Sequence, residues 1–106
     1  MAKRLWRKER LGADTIFVYL VDDLKNEDGD VLHGEWDYEN DIISINSSDH
    51  GHIAASTLIH ERIHAISDKF GLGLSEKTIR ILERGLVQME RDYTPGEDFQ
   101  LDRDKT

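Results

Sequence analysis

The chain changes its hydrophobic periodicity once, and this change limits the folds that it can adopt. Up to about residue 48, apolar residues come in short runs separated by polar turns, which is typical of β-strands. From about residue 53 they recur at helical spacing, in two segments divided by the glycine-rich residues 71–74. A chain of 106 residues supports one modest core, so this order predicts a single α+β domain.

Three short runs predict the strands of this domain. Residues 15–20 are dense in β-branched and aromatic side chains. Residues 31–38 alternate loosely after Asp28 and Gly29, a pair of residues that favours a hairpin turn. Residues 42–45 form a third run that stops at Asn46. We expect a small three-stranded antiparallel sheet, followed by two helices on one side of it.

Two apolar stripes predict the helices. The first helix is expected over residues 53–70, with a buried stripe formed by Ala55, Ile59, Ile63, Ile66 and Phe70. The second helix is expected to begin after Ser75, a favourable N-cap residue, and to end near Asp92. Its own stripe consists of Ile79, Leu82, Leu86 and Met89.

Polar segments flank the expected domain, which we place at residues 14–92. Residues 1–13 are interpreted as a basic N-terminal arm, either solvated or docking an acidic surface. Its charged residues include one acid, Glu9, among five bases: Lys3, Arg4, Arg7, Lys8 and Arg10. Residues 93–106 are interpreted as a polar C-terminal tail.

Composition excludes several classes of function. The net charge of −8 argues against a general affinity for nucleic acid, because phosphate contacts need a basic surface. The chain has no cysteine, so disulfide frameworks and cysteine zinc sites are excluded. No apolar run approaches the roughly 20 residues of a membrane span, and no secretory signal is recognisable at the start. We therefore expect a cytoplasmic protein with no membrane partner.

The first predicted helix carries the motif H-E-x-x-H as His60-Glu61-Arg62-Ile63-His64. Residues four apart lie on one helix face, one turn above each other, so two imidazoles at this spacing can bind one tetrahedral zinc ion. Glu61 lies about 100° further around the helix, at 3.6 residues per turn. From there it can take a proton from a metal-bound water without being a ligand itself.

A catalytic zinc ion usually has three protein ligands and one water. Without cysteine, the third ligand must be His, Asp or Glu. Glu76 and Glu83 lie on the second predicted helix, and chain length permits either of them to reach the histidine pair. His52 and His50 lie about two and three turns before the pair and are weaker candidates.

Residues 41–86 resemble the small H-E-x-x-H proteins of the minimal zincin type, which come mostly from phages and prophages. The resemblance rests on residues 57–66 around the motif, on the strand at residues 42–45 and on Leu74-Ser75-Glu76. It implies zinc bound by His60 and His64, Glu61 as the base, and Glu76 as the third ligand. The chain departs from the metzincin pattern, since the residue six positions after His64 is Phe70 and not histidine.

The resemblance implies a zinc metallopeptidase that hydrolyses a peptide or protein substrate, in the cytoplasm of a bacterium or of a phage host. An edge strand at residues 42–46 would hold the substrate main chain by strand addition. His52 and Tyr93 are the candidates to stabilise the oxyanion.

Two other functions stay open. In the first, zinc only stabilises the fold of a non-catalytic interaction module, since a structural metal adds folding free energy to a small domain. In the second, residues 73–85 form the recognition helix of a helix-turn-helix DNA-binding protein, with Lys77, Arg80 and Arg84 facing the DNA. The negative net charge opposes this second function.

Overall fold

The structure is a computed structural model that describes residues 2–91. The expected tail at residues 93–106, together with Tyr93 and the expected helix end at Asp92, lies outside these residues. In chain order the elements are β1 (Lys3–Leu11), β2 (Asp14–Val21), β3 (Gly34–Asp37), β4 (Ile42–Asn46), α1 (Gly51–Lys69) and α2 (Glu76–Arg91).

Within residues 2–91 the sheet has four strands in the order β1-β2-β4-β3, so the predicted three-stranded antiparallel sheet is wrong. β2 and β4 run parallel, whereas β1 pairs with β2 and β3 pairs with β4 in antiparallel fashion. The connection from β2 to β4 is long enough to allow this parallel pairing. It includes β3, which then pairs with the outer side of β4. As a result β4 is a central strand, and β1 and β3 are the two edges.

The strand that the sequence did not reveal is β1, formed by residues expected to lie in the basic arm. It pairs with β2 from Lys3↔Val21 to Leu11↔Asp14, across a turn in which Gly12 has a positive φ of 62°. The register shifts between Leu5 and Arg7, which marks a β-bulge. Six exposed residues open the strand, so no apolar alternation signals it.

The core lies between the sheet and α1. Alternate residues of the central strands point to the same side, because successive side chains in a strand face opposite ways. The buried cluster consists of Ile16, Val18, Ile43, Ile45 and Leu58. Burying each such side chain stabilises the fold by about 1.5–3 kcal/mol. This cluster fixes α1 across β3 and β4, the half of the sheet next to the candidate site.

The buried stripe of α1 differs from the expected one. Of the expected stripe, Ile63 is buried as predicted, whereas Ile66 and Phe70 are 39% and 58% exposed. The side of α1 that faces the core instead carries Leu58, Glu61 and Ala65, which are also buried. The rest of the prediction failed because α1 is buried on a second side as well, where α2 packs against it. A helix covered from two directions does not show one simple apolar stripe.

α2 begins as predicted after Ser75. The Thr78 main-chain N–H donates a hydrogen bond to Ser75 Oγ at 3.2 Å, which confirms the N-cap. The side of α2 that faces α1 contributes one fully buried apolar residue, Ile79. Of its predicted stripe, Leu82, Leu86 and Met89 remain exposed.

Candidate metal centre

α1 and α2 bring together three side chains that could hold a metal ion. His60 and His64 lie one turn apart on α1, with their ring centroids separated by 4.9 Å. Glu76, in the first turn of α2, reaches both rings: its Oε1 lies 2.9 Å from His60 Nε2, and its Oε2 lies 3.1 Å from His64 Nε2. One candidate ligand atom from each residue lies within 4.8 Å of the other two.

The second carboxylate of α2 takes a different position at the same centre. Glu83 Oε1 lies 2.8 Å from the other ring nitrogen of His60, Nδ1, and Ser56 Oγ donates a hydrogen bond to Glu83 Oε2. A carboxylate behind a histidine fixes the orientation of the ring and leaves Nε2 free to bind a metal. Sequence spacing permitted either glutamate as a ligand, whereas the structure places Glu76 at Nε2 and Glu83 at Nδ1.

The chemistry of this group fits a divalent cation. Both ring nitrogens of His60 face carboxylate oxygens. A charged ring has an N–H for each of them, whereas a neutral ring has only one and leaves the second contact without a donor. A cation between the Nε2 atoms and Glu76 would satisfy the second contact. It would also balance the negative charge of the carboxylates that converge here. Two imidazoles and one carboxylate, without sulfur, form a ligand set that catalytic zinc uses.

Glu61 lies beside this group but on the side of α1 that faces the core. It is only 7% exposed. Burial raises the pKa of Glu61 to about 7, opposed by the nearby charge of His60 and supported by the carboxylates of Glu76, Glu35 and Glu83. A carboxylate with a pKa near neutrality is suited to accept and return a proton, since it can exist in both forms at the working pH.

β3 approaches α1 at Glu61. A Cβ atom added at Gly34 would overlap Thr57 Cγ2 and would lie 3.2 Å from Glu61 Cγ and from the Ser44 carbonyl oxygen. Glycine at this position therefore lets the edge strand pass directly over the Glu61 side chain. The main chain of β3 thus forms one wall of the candidate centre.

The centre opens into a cavity of about 560 Å³ between β3, α1 and α2. Its lining includes the candidate ligands His60 and Glu76, together with Glu61, Glu83, Arg80 and His52. His52 therefore lies near the centre without joining the group of three, and His50 is not among the lining residues. Arg80 Nε lies 3.4 Å from Glu76 Oε1.

Sequence reasoning missed His33, which also lines the cavity. Its Nδ1 lies 2.7 Å from Asp49 Oδ2, so a carboxylate orients this ring as Glu83 orients that of His60. The two residues are 16 positions apart and belong to no recognisable motif, so no signal in the sequence joins them. His33 immediately precedes β3, which places it at the rim of the cavity.

The strand expected to hold a substrate is not available for that purpose. β4 (Ile42–Asn46) has β2 on one side and β3 on the other, so both of its edges are already paired. The edge strand beside the cavity is β3. The prediction failed because the sequence did not reveal which strand lies outermost.

Comparisons with protein families, with curated proteins and with solved structures found no match. Within the part of the chain that the structure describes, no helix combines the length and the apolar character needed to cross a membrane.

Proposed function

We propose that the chain is a zinc-dependent peptidase, with His60, His64 and Glu76 as ligands and Glu61 as general base. The observation that carries the proposal is the meeting of three candidate ligands, two of which line an open cavity together with the buried carboxylate of Glu61. The resemblance to minimal zincins supports the same assignment.

Zinc, when bound, would supply the Lewis acid that activates a water molecule for attack on a peptide carbonyl. Glu61 would accept the proton of that water and deliver it to the leaving amine, a role that its position in the cavity beside His60 and Glu76 favours. Glu83 would keep the ring of His60 in place through Nδ1. The outer edge of β3, with which no other described strand pairs, would align an extended substrate beside the centre by main-chain hydrogen bonds.

Metal content and peptide hydrolysis, measured on the same preparations, test this proposal. We expect one equivalent of zinc in the purified chain, its loss in His60→Ala and its retention in Glu61→Gln. Hydrolysis of a mixed peptide library should fall by about 10²–10⁴-fold in Glu61→Gln, the usual contribution of a general base. Glu76→Gln should lose zinc, whereas Glu83→Gln should weaken its binding by about 10–100-fold, because it acts behind a ligand.

The same experiment separates the competing functions. A zinc-loaded chain that cleaves no peptide, or whose activity does not change in Glu61→Gln, would instead be an interaction module stabilised by metal. A chain that takes up no zinc would exclude both the peptidase and the metal-stabilised interaction module. The position of Arg80 argues against the helix-turn-helix function, because this residue lines the cavity of the candidate centre and contacts Glu76.

A further inference from the structure

Charge is distributed very unevenly along this chain. β1 carries five basic residues and one acidic residue, so its net charge is +4. The whole chain has a net charge of −8, which leaves −12 on the other residues. A single strand thus presents a basic surface on an otherwise acidic molecule, and such a surface attracts an acidic partner.

Among residues 2–91, β1 is also an edge strand, and no other strand of this part of the chain pairs with its outer side. Beyond the bulge, residues 7–11 pair in regular register with β2, from Arg7↔Val18 to Leu11↔Asp14. This regular part offers main-chain hydrogen-bonding groups to a further strand. Lys8 and Arg10 pair with Phe17 and Thr15, so they point away from the helices.

On the side of the helices, the same part of β1 borders a groove of about 390 Å³ next to α1. The apolar residues that line the groove are Leu11, Ile16, Ile43, Ala65 and Ile66. Arg62 Nε donates a hydrogen bond to Glu9 Oε1 at 2.9 Å, and Arg7 pairs with the same carboxylate. The one acidic residue of β1 is therefore already paired, and the groove combines its apolar residues with basic ones, namely Arg7, Lys8, Arg10 and Arg62.

We propose that residues 7–11 bind an extended segment of a partner protein as a fifth strand, a segment in which apolar and acidic residues alternate. Side chains of an added strand point alternately to the two faces of the sheet. The apolar residues would enter the groove beside α1, and the acidic residues would meet Lys8 and Arg10. Main-chain hydrogen bonds would supply affinity, and the two rows of side chains would supply specificity.

Two other occupants fit this surface less well. A second copy of the chain would place two strands of charge +4 side by side, and these would repel each other. Single-stranded nucleic acid binds to aromatic rings on which its bases stack. Here Lys8 Nζ already lies 5.8 Å from the Phe17 ring centroid, and Lys3 Nζ lies 4.8 Å from that of Tyr19.

The test uses the full chain and labelled probes, with binding followed by fluorescence anisotropy. The main probe is a decapeptide in which valine and glutamate alternate. Matched probes are the valine–lysine decapeptide, the valine–glutamate decapeptide N-methylated at alternate residues, and an oligothymidylate. We expect binding of the first probe, no binding of the lysine probe, and at least about tenfold weaker binding after N-methylation, which removes strand hydrogen bonds.

Variants locate the site. The double variant Lys8→Glu and Arg10→Glu should weaken binding of the valine–glutamate probe by at least about tenfold, because like charges then repel each other. The pair Lys25→Glu and Arg84→Glu makes the same charge change at exposed positions outside β1 and should leave affinity unchanged. Failure of the probe to bind, or equal weakening by both pairs, would overturn the proposal. Tighter binding of the oligothymidylate, lost in the first pair, would assign the surface to nucleic acid instead.

Discussion

Residue 34 is a position where the structure leaves no space for a side chain. Gly34→Ala should destabilise the fold by about 1–3 kcal/mol, the usual cost of forcing an extra carbon into a packed region. The added Cβ would overlap Thr57 Cγ2 and press on the Ser44 carbonyl oxygen at 3.2 Å. Urea unfolding measures the change in the free energy of unfolding.

Two controls accompany this prediction. In a Thr57→Ala background the overlapping methyl is absent, so the cost of Gly34→Ala should be smaller. Gly85→Ala, in the middle of α2 where a Cβ would meet no atom within 4 Å, should instead stabilise the chain by about 0.5–1 kcal/mol. An equal cost of Gly34→Ala with and without Thr57 would show that the overlap is not its cause.

His33 lines the cavity but lies outside the H-E-x-x-H motif, so the motif assigns it no role. If its ring contacts the substrate, His33→Ala should lower kcat/KM by at least about tenfold while zinc content stays at the wild-type value. Asp49→Asn should give a smaller loss, because Asp49 acts through the orientation of the ring. Loss of zinc in His33→Ala would contradict this role and would make His33 a metal ligand.

Of the elements, α2 depends most on the candidate centre. Its fully buried apolar residue is Ile79, and its other links to α1 include the contacts of Glu76 and Glu83 with the two histidines. Zinc bound by both helices should therefore hold α2 in place, since a ligand stabilises the state that binds it. We expect chelation to increase hydrogen exchange in α2 more than in the sheet.

Exchange followed by mass spectrometry, with and without chelator, tests this expectation. The His60→Ala variant should exchange in α2 like the chelated wild type, with or without added zinc. Glu61→Gln serves as the matched control, because it alters the same motif but should retain the metal. Uniform exchange across the molecule on chelation would instead mean that the metal stabilises the whole fold and not this helix.

The strands and helices differ in how far the sequence could predict them. β2, β3, β4 and both helices were predicted because each shows an apolar period or a capping residue of its own. β1 was missed because its charged residues hide the alternation. The parallel pairing of β2 with β4 could not be predicted from local patterns, because it depends on how distant segments meet in the folded chain.

The candidate site was predictable to the extent that its residues share a helix. His60, Glu61 and His64 follow from spacing alone, since a regular helix fixes their relative positions. Glu76 was chosen by resemblance, and only the packing of α2 against α1 shows that it faces both rings. His33 was missed because its position depends on the sheet order, which places β3 at the edge beside α1.

At the scale of the whole molecule, Glu9 links the basic edge of the sheet to α1. The hydrogen bond from Arg62 holds the pKa of Glu9 below its ordinary value, with Arg7 adding to the effect and burial opposing it. Because the pKa of Glu9 is lower in the folded chain, its ion pair adds to the free energy of unfolding. This contribution is complete above the unfolded-state pKa of about 4.3 and is lost as pH falls through the folded-state pKa.

Glu9→Gln should therefore destabilise the chain by about 1 kcal/mol near neutral pH, a value typical of partly exposed ion pairs. The difference between the variant and the wild type should shrink as pH falls below about 4, because protonated wild-type Glu9 then resembles glutamine. Denaturant unfolding at pH values from neutral to below about 4 measures this difference in the free energy of unfolding. A difference that stays constant with pH would show that the ion pair does not contribute.

The central position of β4 has a consequence for how the chain folds. β1 and β2 can form a hairpin early, because they are neighbours in the sequence. The other edge of β2 stays unpaired until β4, which lies further along the chain, pairs with it. Joining such distant segments is slow. We expect Ile43→Val, in β4, to slow refolding, and Ile79→Val, in α2, mainly to speed unfolding. Stopped-flow kinetics would show whether the candidate centre, which needs α2, is the last part of the molecule to assemble.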